Sequence, residues 1–388
     1  MKAHTRLHNE KVLNNQLIDH FLHNFISFCK KNVVMLIAFS CAVITCFIVA
    51  PDERYLDYID FKTLTCLFCV LAVVGALRNI KFFYMLAQKT VRVFKTAKLS
   101  VLALVYVTFI GSMLIANDMA LLTFLPLGYL VLNSTDKEKY MAFTFIMQNV
   151  AANLGGMLTP FGNPQNLYLY NTFSIPTGEF MSIMLVPFAV SIALITLCCI
   201  IFVKNEPLEI AEEKRTLPPL KTTIYLLLFA LSIIIVFDTI PYWIGLIIIP
   251  LALLFLDRKA LVKVDYPLLL TFVFFFIFAG NMARIEPVKN VFGYLMQQNT
   301  LLFSALSCQV ISNVPSSILL SQFTTNYKDL LLGVNIGGVG TLIASLASLI
   351  TLREYLKHNP NKFWSYLLKF SIVNFSFLAI LLLVCFFI

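Results

Sequence analysis

Residues 153–159 read NLGGMLT, and residues 335–341, which lie 182 positions later, read NIGGVGT. Both copies lie within long apolar segments, where a membrane helix would otherwise continue without interruption. A glycine in a helix interior costs about 1 kcal/mol relative to alanine, so two adjacent glycines indicate a place where the helix stops. The repeat therefore predicts two helix breaks at matching places in two halves of the chain.

The composition is that of a membrane protein. The 388 residues are 59% hydrophobic and only 13% charged, with a mean hydropathy of +0.85. A soluble domain does not need so much apolar surface, so the bilayer is the expected solvent. No nucleophile–base set and no metal-ligand cluster stands out in the sequence. We therefore predict a protein that is not an enzyme and holds no cofactor.

Nine apolar segments are candidate membrane spans, since a helix needs about 20 residues to cross the hydrocarbon core. Two further segments, 99–132 and 300–324, are interrupted near their middles by Asn117 and Asn313. As a helix, residues 300–312 would extend only about 20 Å, which is short of the roughly 30 Å core. We interpret both segments as re-entrant hairpins, whose tips must be buried in protein or line a wet cavity. The nine spans are residues 32–50, 61–78, 141–170, 180–203, 222–238, 240–256, 264–283, 328–352 and 364–387.

The basic residues assign the two sides of the membrane. With the N-terminus in the cytoplasm and the C-terminus outside, 24 of the 29 lysines and arginines face inward. The net charge of +9 then reflects attraction to the anionic inner leaflet, so we expect lipid contact and no nucleic-acid partner. A re-entrant hairpin and a pair of membrane crossings both return the chain to the side from which it entered. The charge count therefore does not distinguish between these two interpretations of the interrupted segments. The inward stretches are the N-terminal tail and residues 78–98, 133–140, 204–221, 257–263 and 353–369.

The predicted fold is an all-α polytopic membrane protein with two inverted repeats, two re-entrant helical hairpins and two broken transmembrane helices. The first hairpin opens inward and the second outward. Inverted repeats with broken helices are the architecture of secondary transporters, although paired glycines also occur where membrane helices pack closely. The predicted divisions are a cytoplasmic amphipathic tail at 1–31, a first repeat at 32–203 with hairpin 99–132 and broken helix 141–170, a cytoplasmic loop and linker span at 204–239, and a second repeat at 240–388 with hairpin 300–324 and broken helix 328–352.

The candidate binding residues lie at the predicted breaks. Half-helix N-termini attract anions, whereas half-helix C-termini and unwound carbonyl groups attract cations such as Na⁺. We expect Na⁺ near Asn117, Asp118 and Gly162 in one half and near Asn313 and Gly340 in the other. The full predicted set is Asn117, Asp118, Thr159, Gly162, Asn163, Gln165, Asn166, Ser312, Asn313, Gly340, Thr341 and Ser345.

Asp118 is the acidic member of this set. An intramembrane carboxylate is costly and functional by default, and it would hold Na⁺ or carry a proton if burial raises its pKa. The alternative is that Asp118 caps the half-helix that begins there. Ser345 has a structural alternative too, because serine often bonds a carbonyl of its own helix.

Four motifs together resemble the ion transporter superfamily, which includes divalent-anion/sodium symporters, citrate permeases and arsenite permeases. They are AND…LPL, GGMLTPFGNPQNL, ISNVP and NIGGVGTLIASLAS, and the resemblance covers most of the chain from about residue 32. It implies a scaffold with a transport domain, oppositely facing hairpins, a homodimer and elevator-type alternating access. It also implies hairpin tips at Asn117 and Asn313 and broken segments at 162–166 and 340–345.

The hairpin tips depart from one branch of that superfamily. The dicarboxylate symporters typically carry Ser-Asn-Thr at both tips, whereas here the tips read Ala-Asn-Asp (116–118) and Ser-Asn-Val (312–314). The Asn-Asp pair and the NIGGVGTLIASLAS stretch are more similar to the arsenite-permease branch. The GNPQN segment is more similar to other anion permeases.

The sequence as a whole predicts a secondary active transporter in the cytoplasmic membrane. The expected solute is a small anion, either a carboxylate or an inorganic oxyanion, coupled to Na⁺ or H⁺. Arsenite or antimonite efflux and Na⁺/H⁺ exchange on the same fold remain open. An ion channel is the alternative from a different class, because channels also use re-entrant loops.

Overall fold

The computed structural model describes residues 28–29, 32–208 and 216–387. The predicted N-terminal tail therefore lies outside the described residues except for Phe28 and Cys29. The predicted cytoplasmic loop is described on both sides of residues 209–215. Within the described part the protein is helical throughout, and its β pairing is limited to one isolated bridge between Thr96 and Pro207.

Seventeen α-helices make up the described part of the chain. They are α1 (Val33–Ile48), α2 (Phe61–Asn79), α3 (Phe82–Val91), α4 (Ala97–Ile115), α5 (Asn117–Asn133), α6 (Met141–Gly155), α7 (Pro164–Thr172), α8 (Thr177–Phe202), α9 (Pro219–Val236), α10 (Tyr242–Leu256), α11 (Arg258–Val262), α12 (Tyr266–Arg284), α13 (Glu286–Ile311), α14 (Asn313–Leu320), α15 (Tyr327–Ile336), α16 (Leu346–His358) and α17 (Phe363–Cys385).

Six of these helices are long and apolar enough to cross a membrane, namely α2, α4, α8, α9, α12 and α17. Two shorter apolar helices, α1 and α10, have 16 and 15 residues. Every predicted span corresponds to one of these helices or to a pair of helices that flank a break. The all-helical polytopic class predicted from the composition is confirmed.

Both asparagine interruptions are present, and they have the same backbone conformation. Ala116 separates α4 from α5 with φ 64° and ψ 152°, and Ser312 separates α13 from α14 with φ 75° and ψ 158°. This region is essentially restricted to glycine, and a residue with a side chain held there costs on the order of 1–3 kcal/mol. The same strained geometry at both junctions makes them structurally equivalent.

Both glycine motifs also interrupt their helices, as predicted. α6 ends at Gly155, a short 3₁₀ turn covers Gly156–Leu158, and α7 begins at Pro164 after an extended segment. In the second half, α15 ends at Ile336 and the next α-helix begins only at Leu346. Proline is well suited to the first position of α7, because the backbone N–H that it lacks would have no partner there.

The second interrupted segment differs from the prediction in its boundaries. The amphipathic stretch before it continues into the first part of the interrupted segment as a single helix, α13, which is kinked at Asn299. The Asn299 Oδ1 accepts a 2.8 Å hydrogen bond from the backbone N–H of Leu302. This bond caps the second half of α13, so the backbone of Asn299 can leave helical geometry while the helix continues on both sides of it.

The helices pack in two groups. In the first group, α1 packs against α12, and α2 packs against α9 and α10. In the second group, α4 packs against α5 and α6, α13 against α14 and α15, and α16 against α5 and α6. The groups meet where α14 packs against α12 and where α7 packs against α2.

Candidate functional site

A cavity of about 720 Å³ lies at the border between the two helix groups. Its walls come from α1 and α12 on one side and from α13, α14 and the two breaks on the other. This volume is within the range of small-molecule sites. Six of the predicted residues line it together: Asn117, Asp118, Gln165, Ser312, Asn313 and Ser345.

Four helix N-termini converge on this cavity. Asn117 begins α5, Pro164 begins α7, Asn313 begins α14 and Leu346 begins α16, and all four residues line the cavity wall. The first backbone N–H groups of a helix have no partner within it. Together with the helix dipole they give each N-terminus a partial positive charge. In this structure the N–H groups of Asp118, Val314 and Ala347 donate to the side chains of Asn117, Asn313 and Ser345. The partial positive charge of the four helix dipoles remains directed at the cavity and favours negative charge there.

Asp118 is the only Asp, Glu, Lys or Arg side chain on the wall of this cavity, among the described residues. Its Oδ1 is buried and accepts no hydrogen bond from the described part of the chain. Gln165 Oε1 and Asn163 Oδ1 are also buried without a donor there. These three unpaired oxygens lie at the start of α5 and around the start of α7. Oxygen atoms are the ligands that hard cations prefer.

The remaining residues of the first break lie outside the wall of the cavity and are engaged internally. Thr159 Oγ1 donates a 2.8 Å hydrogen bond to the carbonyl of Met113. Asn166 Nδ2 donates to the carbonyls of Gly156, Met157 and Thr159 at 3.1, 3.3 and 3.2 Å. The carbonyl groups that the sequence predicts to be free at this break are therefore capped by a side chain.

Gly162 and Asn163 lie close to the backbone at the end of α6 and complete the first break. A Cβ added at Gly162 would lie 2.3 Å from the carbonyl oxygen of Gly156. No larger residue fits there without a shift of the backbone. The Nδ2 of Asn163 lies 3.5 Å from the carbonyl of Asn153 and donates to it.

The second break is held by a residue that the sequence analysis missed. The Nε2 of Gln309 donates to the carbonyls of Gly337 and Val339 at 2.9 and 3.2 Å. Its Oε1 accepts a 2.8 Å hydrogen bond from the N–H of Thr341. Gly340 has φ 128°, and a Cβ at this position would lie 2.1 Å from Gln309 Oε1. The only signal in the sequence was a lone glutamine in an apolar half-helix.

The two halves of the chain make the same threonine contact. Thr159 Oγ1 donates to the carbonyl of Met113 at 2.8 Å, and Thr341 Oγ1 donates to the carbonyl of Gln309 at 3.0 Å. Each carbonyl belongs to the residue four positions before the asparagine that begins the next half-helix. The final threonine of each glycine motif thus fastens the break to the arm before the asparagine.

The first glycine of each motif also makes a matching close contact. A Cβ at Gly155 would lie 2.2 Å from the carbonyl oxygen of Phe109, and a Cβ at Gly337 would lie 2.9 Å from the Cα of Ala305. Phe109 and Ala305 each lie eight positions before the asparagine of their half. The motif glycines therefore allow the same helix crossing twice.

The motif asparagines join the elements of the site. Asn117 Nδ2 donates to Asn153 Oδ1 at 3.2 Å, which links the start of α5 to the end of α6. Asn335 Nδ2 donates to Asn166 Oδ1 at 2.7 Å, which links α15 to α7. Asn153 and Asn335 are both buried. They belong to the repeated motifs but were not among the predicted binding residues.

One end of α8 is fastened to the N-terminal end of α6. Glu206, which follows α8, pairs with Lys137 at 2.8 Å and with Lys139 at 2.6 Å. It also accepts a 3.0 Å hydrogen bond from the hydroxyl of Tyr140. The hydrogen bonds from the two lysines lower the pKa of the Glu206 carboxyl to about 2.

The other end of α8 is fastened to the N-terminal end of α15 in the same manner. Glu179 accepts a 2.8 Å hydrogen bond from the hydroxyl of Tyr327 and pairs with Lys328 at 3.2 Å. Since α8 has 26 residues, it is roughly 39 Å long. The starts of α6 and α15 therefore lie at opposite ends of one long apolar helix.

The chain matches a transporter family, one protein that is named as a transporter and one that is named as an inner membrane protein. The family model described as citrate transporter matches residues 25–328. The chain is 35% identical over 325 residues to the uncharacterized transporter MJ0456 of Methanocaldococcus jannaschii, covering 82% of this chain and 88% of that protein. It is 30% identical over 315 residues to the inner membrane protein YbiR of Escherichia coli, covering 79% of this chain and 82% of that protein.

These similarities confirm the resemblance found in the motifs. The residues matched by the family model include both asparagine junctions and the first glycine break. They also agree with several apolar helices long enough to cross a membrane. The chain therefore belongs to the citrate transporter family, within the ion transporter superfamily, and is a membrane transporter.

Proposed function

We propose that the protein is a secondary active transporter that moves a small anion, a carboxylate or an inorganic oxyanion, across the cytoplasmic membrane. The observation that carries this proposal is the convergence of four helix N-termini on one cavity of about 720 Å³. Backbone N–H groups at helix N-termini bind anions without a basic side chain. This accounts for a cavity whose described wall contains no lysine or arginine.

In this proposal the two halves are inverted repeats with re-entrant hairpins at 99–132 and 300–324. The matched threonine contacts support the repeat, because Thr159 and Thr341 bond carbonyls at the same offset from their asparagines. The clamps at the two ends of α8 support the inversion. α6 begins beside Glu206 and α15 begins beside Glu179, at opposite ends of a helix that is long enough to span the bilayer.

Alternating access would come from movement between the two helix groups. The group that holds the hairpins and both breaks is the transport domain, and the group of α1, α2 and α9–α12 is the scaffold. The cavity lies at the border between them, so a sliding movement of one against the other would carry the solute across. This elevator mechanism, a homodimer, an inside N-terminus and an outside C-terminus are the remaining parts of the proposal.

Coupling to Na⁺ or H⁺ is assigned to the oxygens around the first break. Asp118 Oδ1, Gln165 Oε1 and Asn163 Oδ1 are buried without donors in the described part of the chain. Asn117 and Gly162 belong to the same region, and Asn313 and Gly340 form the counterpart in the second half. The capping of carbonyls by Asn166 and Gln309 directs the proposal to side-chain oxygens, above all that of Asp118.

Na⁺/H⁺ exchange is a second candidate function, and one observation favours it. The single charged side chain on the described cavity wall is the carboxylate of Asp118. A lone carboxylate in an otherwise uncharged cavity attracts a cation and opposes an anion unless a cation accompanies it. An exchanger would load Asp118 alternately with Na⁺ and with a proton.

Flux measurements on purified protein in proteoliposomes test both candidates. Labelled citrate, succinate, phosphate and arsenate are offered separately under an inward Na⁺ gradient or an inward H⁺ gradient. We expect saturable accumulation of one anion above its equilibrium level under one gradient. Accumulation of none, together with a pH change inside the vesicles on addition of Na⁺, would favour exchange. Large dissipative currents that do not saturate would contradict both and indicate a channel.

A further inference from the structure

A second cavity lies close to the first and has the opposite chemical character. It has a volume of about 1140 Å³ and lies between the first half of α13, the segment after α14 and the start of α15. The side chains on its wall are mainly amides and hydroxyls, with one lysine and one aspartate. They include Gln297, Gln298, Asn299, Gln322, Asn326 and Asp329.

The walls of the two cavities share one side chain. Met296 is the only residue that lines both of them within the described part of the chain. It is 2% exposed. Beside it, Phe292 lines the central cavity and Phe323 lines the second one, and their rings stack with centroids 5.1 Å apart. The apolar side chains of Met296, Phe292 and Phe323 therefore lie where the two cavities meet.

We propose that the second cavity is an outer vestibule that receives hydrated solute, and that Met296, with the Phe292–Phe323 pair, is the partition that closes it from the central cavity. The inference rests on the proposed function for the role of the solute. The vestibule is assigned to the outer side because Lys289, on its wall, belongs to the minority of basic residues that the charge count leaves outside. Lys328, which precedes the wall residue Asp329 in the chain, belongs to the same minority.

The chemistry of the two parts suits these roles. Side-chain amides carry both donors and acceptors, so the vestibule can replace part of a solute's water shell without selecting one charge. An apolar constriction blocks hydrated solutes by excluding water. Methionine has three rotatable bonds and adapts its shape readily. Met296 can therefore open the partition by a change of rotamer, while the stacked rings of Phe292 and Phe323 keep its edge in place.

Thiol accessibility tests the partition without any transport substrate. Ser307 lines the central cavity and not the second one, so Ser307→Cys places a reporter behind the partition. A membrane-impermeant maleimide is added to right-side-out vesicles, and labelling at position 307 is followed by mass spectrometry. We expect Met296→Ala to accelerate this labelling about tenfold, as expected for a barrier lowered by about 1.4 kcal/mol.

The matched control is Met282→Ala, because Met282 lines the central cavity but not the vestibule. It should leave the labelling rate unchanged. Phe292→Ala is the second partition variant in case Met296→Ala does not fold, and it should also accelerate labelling from outside. Equal rates in the partition variants and the parent would overturn the proposal, as would equal acceleration by Met282→Ala. Acceleration confined to inside-out vesicles would overturn the assignment of the vestibule to the outer side.

This readout is separate from that of the proposed function. If the flux experiments find no transported anion while Met296→Ala still opens position 307 to the reagent, the partition stands and the solute assignment fails. If transport is found but labelling does not respond, the partition fails alone.

Discussion

The side-chain amide of Asn335 donates a 2.7 Å hydrogen bond to the Oδ1 of Asn166, and both residues are buried. Asn335 opens the second glycine motif, and Asn166 follows the first break. The same Asn166 caps three carbonyl groups of that break with its Nδ2. A single buried amide therefore holds the first break together and connects it to the second half of the chain.

Removing either amide should destabilise the protein, and Asn166→Ala should do so more than Asn335→Ala. Leaving a buried polar group unpaired costs about 1–3 kcal/mol. Asn166→Ala removes the side-chain partner of three carbonyls and of the Asn335 amide, whereas Asn335→Ala removes the partner of Asn166 Oδ1 and one donor to the carbonyl of Leu331. The thermal unfolding midpoint of the purified protein measures the effect. Asn361→Ala, at an exposed position, is the control and should leave the midpoint unchanged.

A double variant checks that the two residues act through each other. Because they share a hydrogen bond, Asn335→Ala should cost less in the Asn166→Ala background than in the parent protein. Strictly additive effects would contradict the link between the two breaks.

The equivalence of Gln309 and Met113 gives a second prediction. Both lie four positions before the asparagine of their half, but only Gln309 uses its side chain to hold a break. Gln309→Leu should therefore lower the unfolding midpoint, since it leaves two carbonyls and one N–H without their side-chain partner, at about 1–3 kcal/mol each. Met113→Leu is the matched control and should change stability little, because volume-conserving swaps cost less than about 1.5 kcal/mol. Similar losses in both variants would argue against the role of Gln309.

The helix breaks could be predicted from the sequence because their signals are local. Paired glycines and a single asparagine are unusual in long apolar runs, and the structure interrupts helices at Asn117, Asn313 and both glycine motifs. Even the threonine that ends each motif has the same role in both halves.

The partners that hold the breaks could not be predicted, because they depend on distant geometry. Gln309 bonds carbonyls 28 and 30 positions later, and no local pattern marks such a pair. The clamp on Glu206 joins residues that are 66 to 69 positions apart. The sequence also did not predict that α13 continues through Asn299 as one kinked helix. The backbone of Asn299 leaves helical geometry, while its side chain caps the second half of the same helix.

The tight approach at Gly155 predicts that this glycine cannot be replaced. An added Cβ would lie 2.2 Å from the carbonyl oxygen of Phe109, and that backbone atom belongs to a packed helix and cannot easily move. Gly155→Ala should lower the yield of folded protein and the unfolding midpoint, with a cost of about 1–3 kcal/mol, as is typical of overpacking. Size-exclusion profiles and thermal unfolding measure this.

Gly178 provides the matched control, because a Cβ there meets no atom within 4 Å. It lies in the first turn of α8. Gly178→Ala should be neutral or stabilising by up to about 1 kcal/mol, since alanine is the better helix former. A well-folded Gly155→Ala protein of parental stability would refute the close helix crossing.

The clamp on Glu206 predicts a dependence of stability on pH. Its pKa in the folded protein is about 2 because of Lys137 and Lys139, whereas an unfolded glutamate titrates near 4.3. The folded pKa is the lower one, so this contribution is fully present above about pH 5 and is lost as the pH falls through the interval from about 4.3 to about 2. The unfolding midpoint of Glu206→Gln should therefore lie below that of the parent at neutral pH, and the difference should shrink below about pH 4.

Glu138→Gln is the control for this clamp, because Glu138 is an exposed glutamate between Lys137 and Lys139. Its unfolding midpoint should follow that of the parent at every pH. A difference between Glu206→Gln and the parent that stays constant down to pH 2 would mean that the charge of Glu206 does not carry the clamp.

The role of Asp118 is the prediction closest to the proposed mechanism. Asparagine keeps the size of the side chain but carries no charge and binds no proton, and the N-cap of α5 is Ala116, with no side-chain cap hydrogen bond that the change would remove. Asp118→Asn therefore separates coupling from capping. We expect the variant to fold and to reach the membrane. Its gradient-driven accumulation should fall by about 5- to 150-fold, which is the effect of losing a coupling free energy of about 1–3 kcal/mol.

The measurement is uptake in proteoliposomes with and without the driving gradient, for the anion that the parent protein accumulates. The expected result is a flux that no longer responds to Na⁺ or to pH, because the ion-binding carboxylate is absent. Asp57→Asn, at an exposed loop position, removes a charge away from the cavity and should keep the full response. If Asp118→Asn keeps it as well, the carboxylate serves only the start of α5, and the coupling ion must bind elsewhere, among the oxygens that Asn163 and Gln165 leave unpaired.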